Sequence, residues 1–137
     1  IDPWDYVLAI ARRNVTAAGL ADRIELRQLG AEQLDDEASA DLVFLPGPFL
    51  PPDVLGEAVE RAFTAIRPGG WVILGLYGGG GRLEDGLARL RTARSGGALF
   101  TAEQAEALLA QSGFAAVRTV PGGIAIPGLL VVGRRSA

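Results

Sequence analysis

Short apolar segments alternate in this chain with longer segments of helical periodicity, and this alternation restricts the fold more than any other feature. The clearest apolar segments are residues 71–77 and residues 41–45, and the second is stopped by Pro46. Both are short and apolar at successive positions, which is typical of strands buried in a parallel sheet. A helical segment between two such strands predicts a crossover connection, and therefore an α/β fold.

Apolar residues at helical spacing predict the helices. The first helix follows Asp2-Pro3, a pair that suits a helix start, and ends at Gly19. The last begins at Thr101, where Gln104 three residues later completes a capping box. The apolar stripes are Trp4, Val7, Leu8, Ala11, Val15 and Ala18; Leu55, Ala58, Val59, Ala62, Phe63 and Ile66; Leu83, Leu87 and Leu90; and Ala105, Leu108 and Leu109.

Three further segments predict strands. Residues 24–29 alternate in polarity, as a half-buried strand does. Residues 114–120 and 124–132 are separated only by Pro121-Gly122-Gly123, which leaves no room for a crossover helix, so we expect them to pair antiparallel. The predicted fold is a doubly wound, mostly parallel sheet with a C-terminal antiparallel hairpin, in a single domain over residues 1–137.

Missing residue types exclude several classes of chemistry. The chain has no Cys, His or Met, and all of its 13 basic residues are Arg. The chain therefore lacks the usual ligands of a zinc site, and we expect no metal. It also lacks the residues needed for His-based or Cys-based nucleophilic catalysis and for a lysine Schiff base. The formal charge of -3 argues against nucleic acid as a partner. No apolar run approaches the ~18 residues that span a bilayer, so we expect no membrane segment and a cytoplasmic location.

Several segments together resemble the class I S-adenosylmethionine-dependent methyltransferases. Asp2 stands nine residues ahead of Ala11-Arg12, as the acidic residue that ends the family's second strand does, and residues 41–45 resemble its fourth strand. Residues 66–71, Ile-Arg-Pro-Gly-Gly-Trp, resemble the turn into its fifth strand. The resemblance implies a Rossmann-like fold and S-adenosylmethionine as cofactor. The family's first strand and glycine-rich loop would precede Ile1. We therefore expect a domain incomplete at its N-terminus, whose sheet is completed by an upstream segment or in a homodimer.

The resemblance also implies which residues bind the nucleoside. The carboxylate of Asp2 would accept hydrogen bonds from both ribose hydroxyls, although Asp2 also suits an ordinary helix N-cap. Pro3 and Trp4 would lie against one side of adenine, and core packing is the alternative for Trp4. A gapless match places Gly30 where the family often has an Asp that binds the adenine amino group. Adenine would then be recognised by backbone groups at Ala31 and by Glu32.

The segment after residues 41–45 is expected to lie between cofactor and acceptor. Leu45 would contact the cofactor, and the turn that follows would form a rigid apolar wall for the acceptor, with a simple strand-ending turn as the alternative. Tyr77, at the end of another strand, lies where such folds place acceptor-binding groups. The predicted acceptor-binding residues are Pro46, Pro48, Phe49 and Tyr77.

The predicted function is methyl transfer from S-adenosylmethionine to a small-molecule acceptor. The sulfonium methyl group is already activated, so the protein mainly has to align the acceptor and exclude water, and no residue stands out as a catalytic base. Two alternatives remain open at the level of sequence. One is an NAD(P)-binding Rossmann-type oxidoreductase domain, and the other is a methyltransferase-like assembly domain without catalysis.

Overall fold

The computed structural model of the protein describes residues 1–78, 82–121 and 128–137. Helices and strands alternate through most of this length, as the sequence predicts. In chain order the elements are α1 (Asp5–Ala17), a 3₁₀ turn (Ala31–Gln33), β1 (Ala40–Pro46), a second 3₁₀ turn (Gly47–Phe49), α2 (Pro52–Ala65), β2 (Ile66–Leu76), α3 (Arg82–Arg94), α4 (Ala102–Gln111), β3 (Ala115–Pro121) and β4 (Leu129–Arg134).

The described strands form one open, mixed sheet in the order β1-β2-β4-β3. β1 and β2 are parallel, joined by the crossover helix α2, whereas β4 pairs antiparallel with both β2 and β3. The α/β fold and the antiparallel C-terminal pair are thus confirmed. The predicted turn between these last strands lies largely in residues 122–127, outside the described residues.

The hydrophobic core lies on one face of this sheet. Leu45 of β1 is opposite Leu74 of β2, which is opposite Val131 of β4, so one row of side chains crosses three strands on the same face. Helices α2 and α4 contribute the other side of the core, because their apolar stripes are the positions that become buried. The buried cluster comprises Leu45, Leu55, Val59, Ala62, Ile66, Val72, Leu74, Leu76, Ala98, Ala105, Leu109, Phe114 and Val131.

Arg135 closes the junction at which α2 passes directly into β2. Its guanidinium donates hydrogen bonds to the carbonyl oxygens of Phe63, Thr64 and Ile66 at 2.9, 3.0 and 2.5 Å. The same group lies 4.9 Å from the centre of the Phe63 ring. Carbonyls at a helix C-terminus lack intrahelical partners, so a cation there satisfies them and complements the helix dipole.

Residues 24–29 do not form the predicted strand. Among the described residues, this segment makes a turn bond from the Ile24 N–H to the Leu20 carbonyl and one backbone hydrogen bond to a distant segment, from the Asp2 N–H to the Arg27 carbonyl at 3.2 Å. A strand requires a ladder of such bonds, and alternating polarity cannot supply the neighbour. For the same reason β1, expected in the middle of a sheet, is an edge strand of the described sheet, and its Leu42 and Phe44 are exposed.

Helix α1 is only partly buried along its apolar stripe. Within the helix, Leu8 is buried and Val7, Ala11 and Val15 are half-buried, whereas Tyr6 and Ile10, which lie outside the stripe, are exposed. The stripe therefore predicted both the helix and its inward face. Full burial also requires a surface that covers the whole face.

Candidate cofactor and acceptor site

Asp2 does not cap α1. The helix begins at Asp5 with Trp4 as its N-cap residue, and that cap has no side-chain hydrogen bond. The N-cap alternative is therefore wrong for Asp2. Instead one carboxylate oxygen, Oδ1, accepts a hydrogen bond from the Trp4 N–H at 2.8 Å, two residues on and before the helix starts. This local turn fixes the carboxylate and leaves Oδ2 as an acceptor.

Arg27 anchors the segment that runs beside Asp2. Its guanidinium donates to Asp36 at 2.5 Å and to Asp35 at 3.2 Å, while its carbonyl accepts the Asp2 N–H. The hydrogen bond to Asp36 is the main cause that raises the pKa of Arg27 above its ordinary value, with Asp35 adding to it. The guanidinium thus holds Asp35 and Asp36 against Arg27, while the carbonyl of the same residue binds the start of the chain.

Glu32 occupies the space that a side chain at position 30 would fill. Gly30 is buried and has an ordinary extended backbone, yet a Cβ atom added there would collide with the Glu32 carboxylate. The short 3₁₀ turn holds this arrangement, because the Gly30 N–H donates to Gln33 Oε1 at 2.9 Å and the Gln33 N–H to the Gly30 carbonyl at 3.1 Å. The carboxylate of Glu32 therefore lies where a side chain of residue 30 would begin.

Trp4 is not part of the core. Its side chain is 61% exposed and lies near the Tyr6 ring, with the ring centres 6.4 Å apart. The core-packing alternative is wrong, because no element covers this end of α1 within the described residues. Pro3 is also exposed, and its carbonyl is 3.5 Å from the Gln28 amide nitrogen. The exposed ring of Trp4, whose backbone N–H binds the Asp2 carboxylate, is available to a flat ligand.

Leu45 is buried in the core, so its side chain cannot contact a cofactor and only its backbone could do so. The turn after it is tightly packed. Gly47 is buried, and a Cβ added there would lie 2.8 Å from the carbonyl oxygen of Gly75. A side chain at position 47 would push this turn away from β2. The turn is therefore held closely against β2, with Pro46 half-buried and Pro48 buried.

Tyr77 and the turn after β1 meet at the ends of the two parallel strands. The rings of Phe49 and Tyr77 are 6.4 Å apart between centres and nearly perpendicular, an edge-to-face contact. Beside them is a pocket of about 50 Å³, which is room for a few water molecules or a small group. Its walls are Pro48, Leu76, Tyr77, Ala88, Arg89, Thr92, Ala98, Leu99, Phe100 and Thr101.

The structure thus assembles the predicted residues in two groups. Asp2, Pro3 and Trp4 lie beside the segment that leads to Gly30, Ala31 and Glu32, through the contacts at Arg27 and Gln28. The turn after β1 meets Tyr77 in the second group. Among the described residues, no hydrogen bond or ring contact joins one group to the other.

Of the residues that line this pocket, only Pro48 and Tyr77 were predicted as site residues from the sequence, and Arg89 and Thr92 are the polar side chains of α3 that were missed. They come from the side of α3 that faces away from its leucines, and Thr92 is buried. The sequence signal that could have identified this inner face is the pair of small residues Ala88 and Thr92, which are four residues apart and therefore lie on the same side of the helix.

Neither a metal cluster nor a spanning helix occurs in the part of the chain that the structure describes. Residues 1–78, 82–121 and 128–137 contain no group of three or more metal-ligating side chains and no helix long and apolar enough to cross a membrane.

The solved structures similar to this chain define the class of fold. SibL, an S-adenosylmethionine-dependent methyltransferase in its apo form, matches 100% of this chain with a TM-score of 0.79 and 20% identity. The mitomycin 7-O-methyltransferase MmcR matches 93% with a TM-score of 0.72 and 26% identity. PigF with SAH matches 98% with a TM-score of 0.74 and 21% identity.

The chain therefore has the fold of the class I S-adenosylmethionine-dependent methyltransferases. It spans 43%, 38% and 42% of the lengths of SibL, MmcR and PigF. No family model and no curated protein matches the sequence.

Proposed function

We propose that this chain contributes to a methyltransferase that uses S-adenosylmethionine to methylate a small-molecule acceptor. The observation that carries the proposal is the match of the whole chain to a protein described as an S-adenosylmethionine-dependent methyltransferase, SibL, with a TM-score of 0.79. PigF with SAH supports the same cofactor class, since SAH is the product left after methyl transfer. Methyl transfer also agrees with a chain that has no His, Cys or Lys.

The residues at the start of the chain fit a nucleoside. Asp2 keeps one carboxylate oxygen for a ligand while the other is held by the Trp4 N–H. A ribose diol is a suitable partner, because a charged acceptor strengthens each hydrogen bond to about 1.5–3 kcal/mol. Trp4, whose backbone N–H binds this carboxylate, has an exposed ring that would pack against the base.

Glu32 supplies the carboxylate for the adenine amino group in this proposal. The observation behind it is the collision that a side chain at Gly30 would have with the Glu32 carboxylate. The backbone groups of Ala31 would form hydrogen bonds with the ring nitrogens of the base. An acidic group two residues away thus replaces one at position 30.

The second group of residues would hold the acceptor. Phe49 and Tyr77 present an aromatic edge, and Pro48 forms a rigid wall behind them. S-adenosylmethionine held by the first group would supply an activated methyl group on a sulfonium, and the residues of the second group would orient the acceptor in line with it and keep water away. The small size of the pocket favours the tip of an acceptor rather than its whole body.

Isothermal titration calorimetry with SAH and with NAD tests this proposal. We expect SAH to bind at one site and NAD not to bind. Binding of NAD without SAH would instead support a dinucleotide-dependent oxidoreductase domain. A folded protein that binds neither would support a methyltransferase-like domain without catalysis, and either result would contradict the proposal.

A further inference from the structure

The pocket beside Tyr77 has a positive charge in its wall. Among the described residues that line it, Arg89 carries the only charge, and no carboxylate is present. The chain as a whole is acidic, with 16 acidic and 13 basic residues. The wall of this pocket is therefore a place where a negative molecule is attracted by a local charge of opposite sign.

The Arg89 guanidinium makes no hydrogen bond and no ion pair within the described part of the chain. Asp85, one turn earlier on α3, has an interaction of its own and does not line the pocket. The N–H donors of Arg89 are therefore available to a ligand. They form a planar fork, which matches the two oxygens of a carboxylate. Four other arginines already have carboxylate partners: Arg12, Arg27, Arg61 and Arg67.

The rest of the wall is largely apolar and firmly held. Ala88 and Ala98 are buried, and the Ala98 N–H donates to the Leu50 carbonyl at 2.9 Å, which ties this wall to the turn after β1. The Thr92 hydroxyl donates to the Ala88 carbonyl at 3.0 Å, so its proton is not available to a ligand. Apolar walls exclude water from one side of a bound anion, which strengthens its attraction to Arg89.

We propose that the acceptor is an aromatic carboxylate, whose carboxylate group is anchored in this pocket by Arg89 while a different atom receives the methyl group. The inference rests on the proposed function, because it names the class of acceptor. A singly charged carboxylate balances the one guanidinium, and a pocket of about 50 Å³ holds a group of a few atoms. The edge-to-face pair of Phe49 and Tyr77 beside the pocket favours a ring next to that group.

Benzoate and benzamide are the probes for this pocket, because they have nearly the same shape and differ in charge. A nuclear magnetic resonance titration of the ¹⁵N-labelled chain measures both. We expect benzoate to shift the backbone signal of Tyr77 and the Nε–H signal of Arg89, and to bind about fivefold more tightly than benzamide. Equal affinities, or no shift at about 20 mM benzoate, would overturn the inference.

Removing the charge at position 89 should remove this preference. We expect Arg89→Gln to weaken benzoate binding about fivefold and to leave benzamide binding unchanged. Arg91→Gln is the matched control, because it removes the same charge from an exposed residue of the same helix that does not line the pocket. Equal losses in the two variants would show an effect of net charge alone and would contradict a carboxylate anchor at Arg89.

A charge reversal gives a result that misfolding cannot produce. Arg89→Glu should bind the benzylammonium cation more tightly than benzoate, because the charge that the pocket wall presents has changed sign. If this variant still prefers benzoate, the anchor is not at position 89.

The inference and the proposed function can fail separately. An anchor for the acceptor must remain free when cofactor is bound, so benzoate should bind equally well with SAH present, and competition between the two would overturn the inference. SAH binding without benzoate binding would contradict the inference alone. Benzoate binding without SAH binding would support the carboxylate pocket and contradict the proposed function.

Discussion

The Glu32 carboxylate occupies the space that a side chain at Gly30 would fill, and we propose that it takes the place of an acidic residue there. The sequence alone indicates a missing acidic side chain at position 30. The structure places the Glu32 carboxylate in the space which that side chain would fill. Sequence matching compares positions one by one, so it cannot detect a replacement from two residues away. A tight turn between the two residues is what makes it possible.

Replacing Glu32 tests this exchange. We expect Glu32→Gln to weaken SAH binding about five- to tenfold, because a neutral acceptor makes a weaker hydrogen bond to the adenine amino group than a charged one. The matched control is Glu25→Gln, which removes the same charge from an exposed residue nearby and should leave the affinity unchanged. Calorimetric titration with SAH measures both.

The double variant Gly30→Asp with Glu32→Ala returns the carboxylate to position 30. Without the Glu32 side chain the collision is absent, and the extended backbone of Gly30 accepts any residue. We expect this variant to bind SAH about as tightly as the wild type. If Glu32→Ala alone binds SAH normally, Glu32 has no role in adenine recognition.

Asp2 can be tested without disturbing the start of α1. Asp2→Asn keeps an oxygen that accepts the Trp4 N–H but removes the charge and the second equivalent acceptor. We expect unchanged thermal stability and SAH binding at least about tenfold weaker. Asp5→Asn, which loses only an exposed ion pair with Arg12, should bind SAH like the wild type. Equal effects of the two substitutions would exclude a specific role of Asp2.

For individual helices and strands, sequence patterns that act within a few residues predicted the structure, whereas a pattern that needs a partner distant in sequence did not. The capping box of α4 is present as expected, with the Gln104 N–H donating to Thr101 Oγ1 at 3.2 Å and the Thr101 N–H to Gln104 Oε1 at 2.9 Å. Residues 24–29 have the pattern of a strand but no ladder. A cap is decided within four residues, whereas a strand depends on a neighbour distant in sequence.

Thr101 provides a quantitative test at this scale. Thr101→Ala leaves a helix N–H without its acceptor and should lower the free energy of unfolding by about 1 kcal/mol. Urea unfolding followed by circular dichroism measures the change. Thr64→Ala is the control, because the Thr64 hydroxyl only donates back to the Glu60 carbonyl within α2 and should change stability by less than about 0.5 kcal/mol. Equal losses would mean that the cap contributes nothing specific.

At the scale of the whole molecule, the fold follows from a few rows of apolar residues across the sheet. These rows were readable in the sequence because each strand and helix carries its own pattern. The two groups of residues proposed for the nucleoside and for the acceptor were partly predictable, since most of these residues follow the end of a predicted element. The pocket residues of α3 were not, because they depend on how that helix is rotated against the sheet.

A crystal structure of the protein with SAH shows directly whether the carboxylate of Asp2 binds the cofactor ribose. We expect both ribose hydroxyls within about 3 Å of the Asp2 carboxylate, with adenine between Trp4 and the Glu32 carboxylate. SAH bound elsewhere, or a ribose that does not contact Asp2, would contradict it.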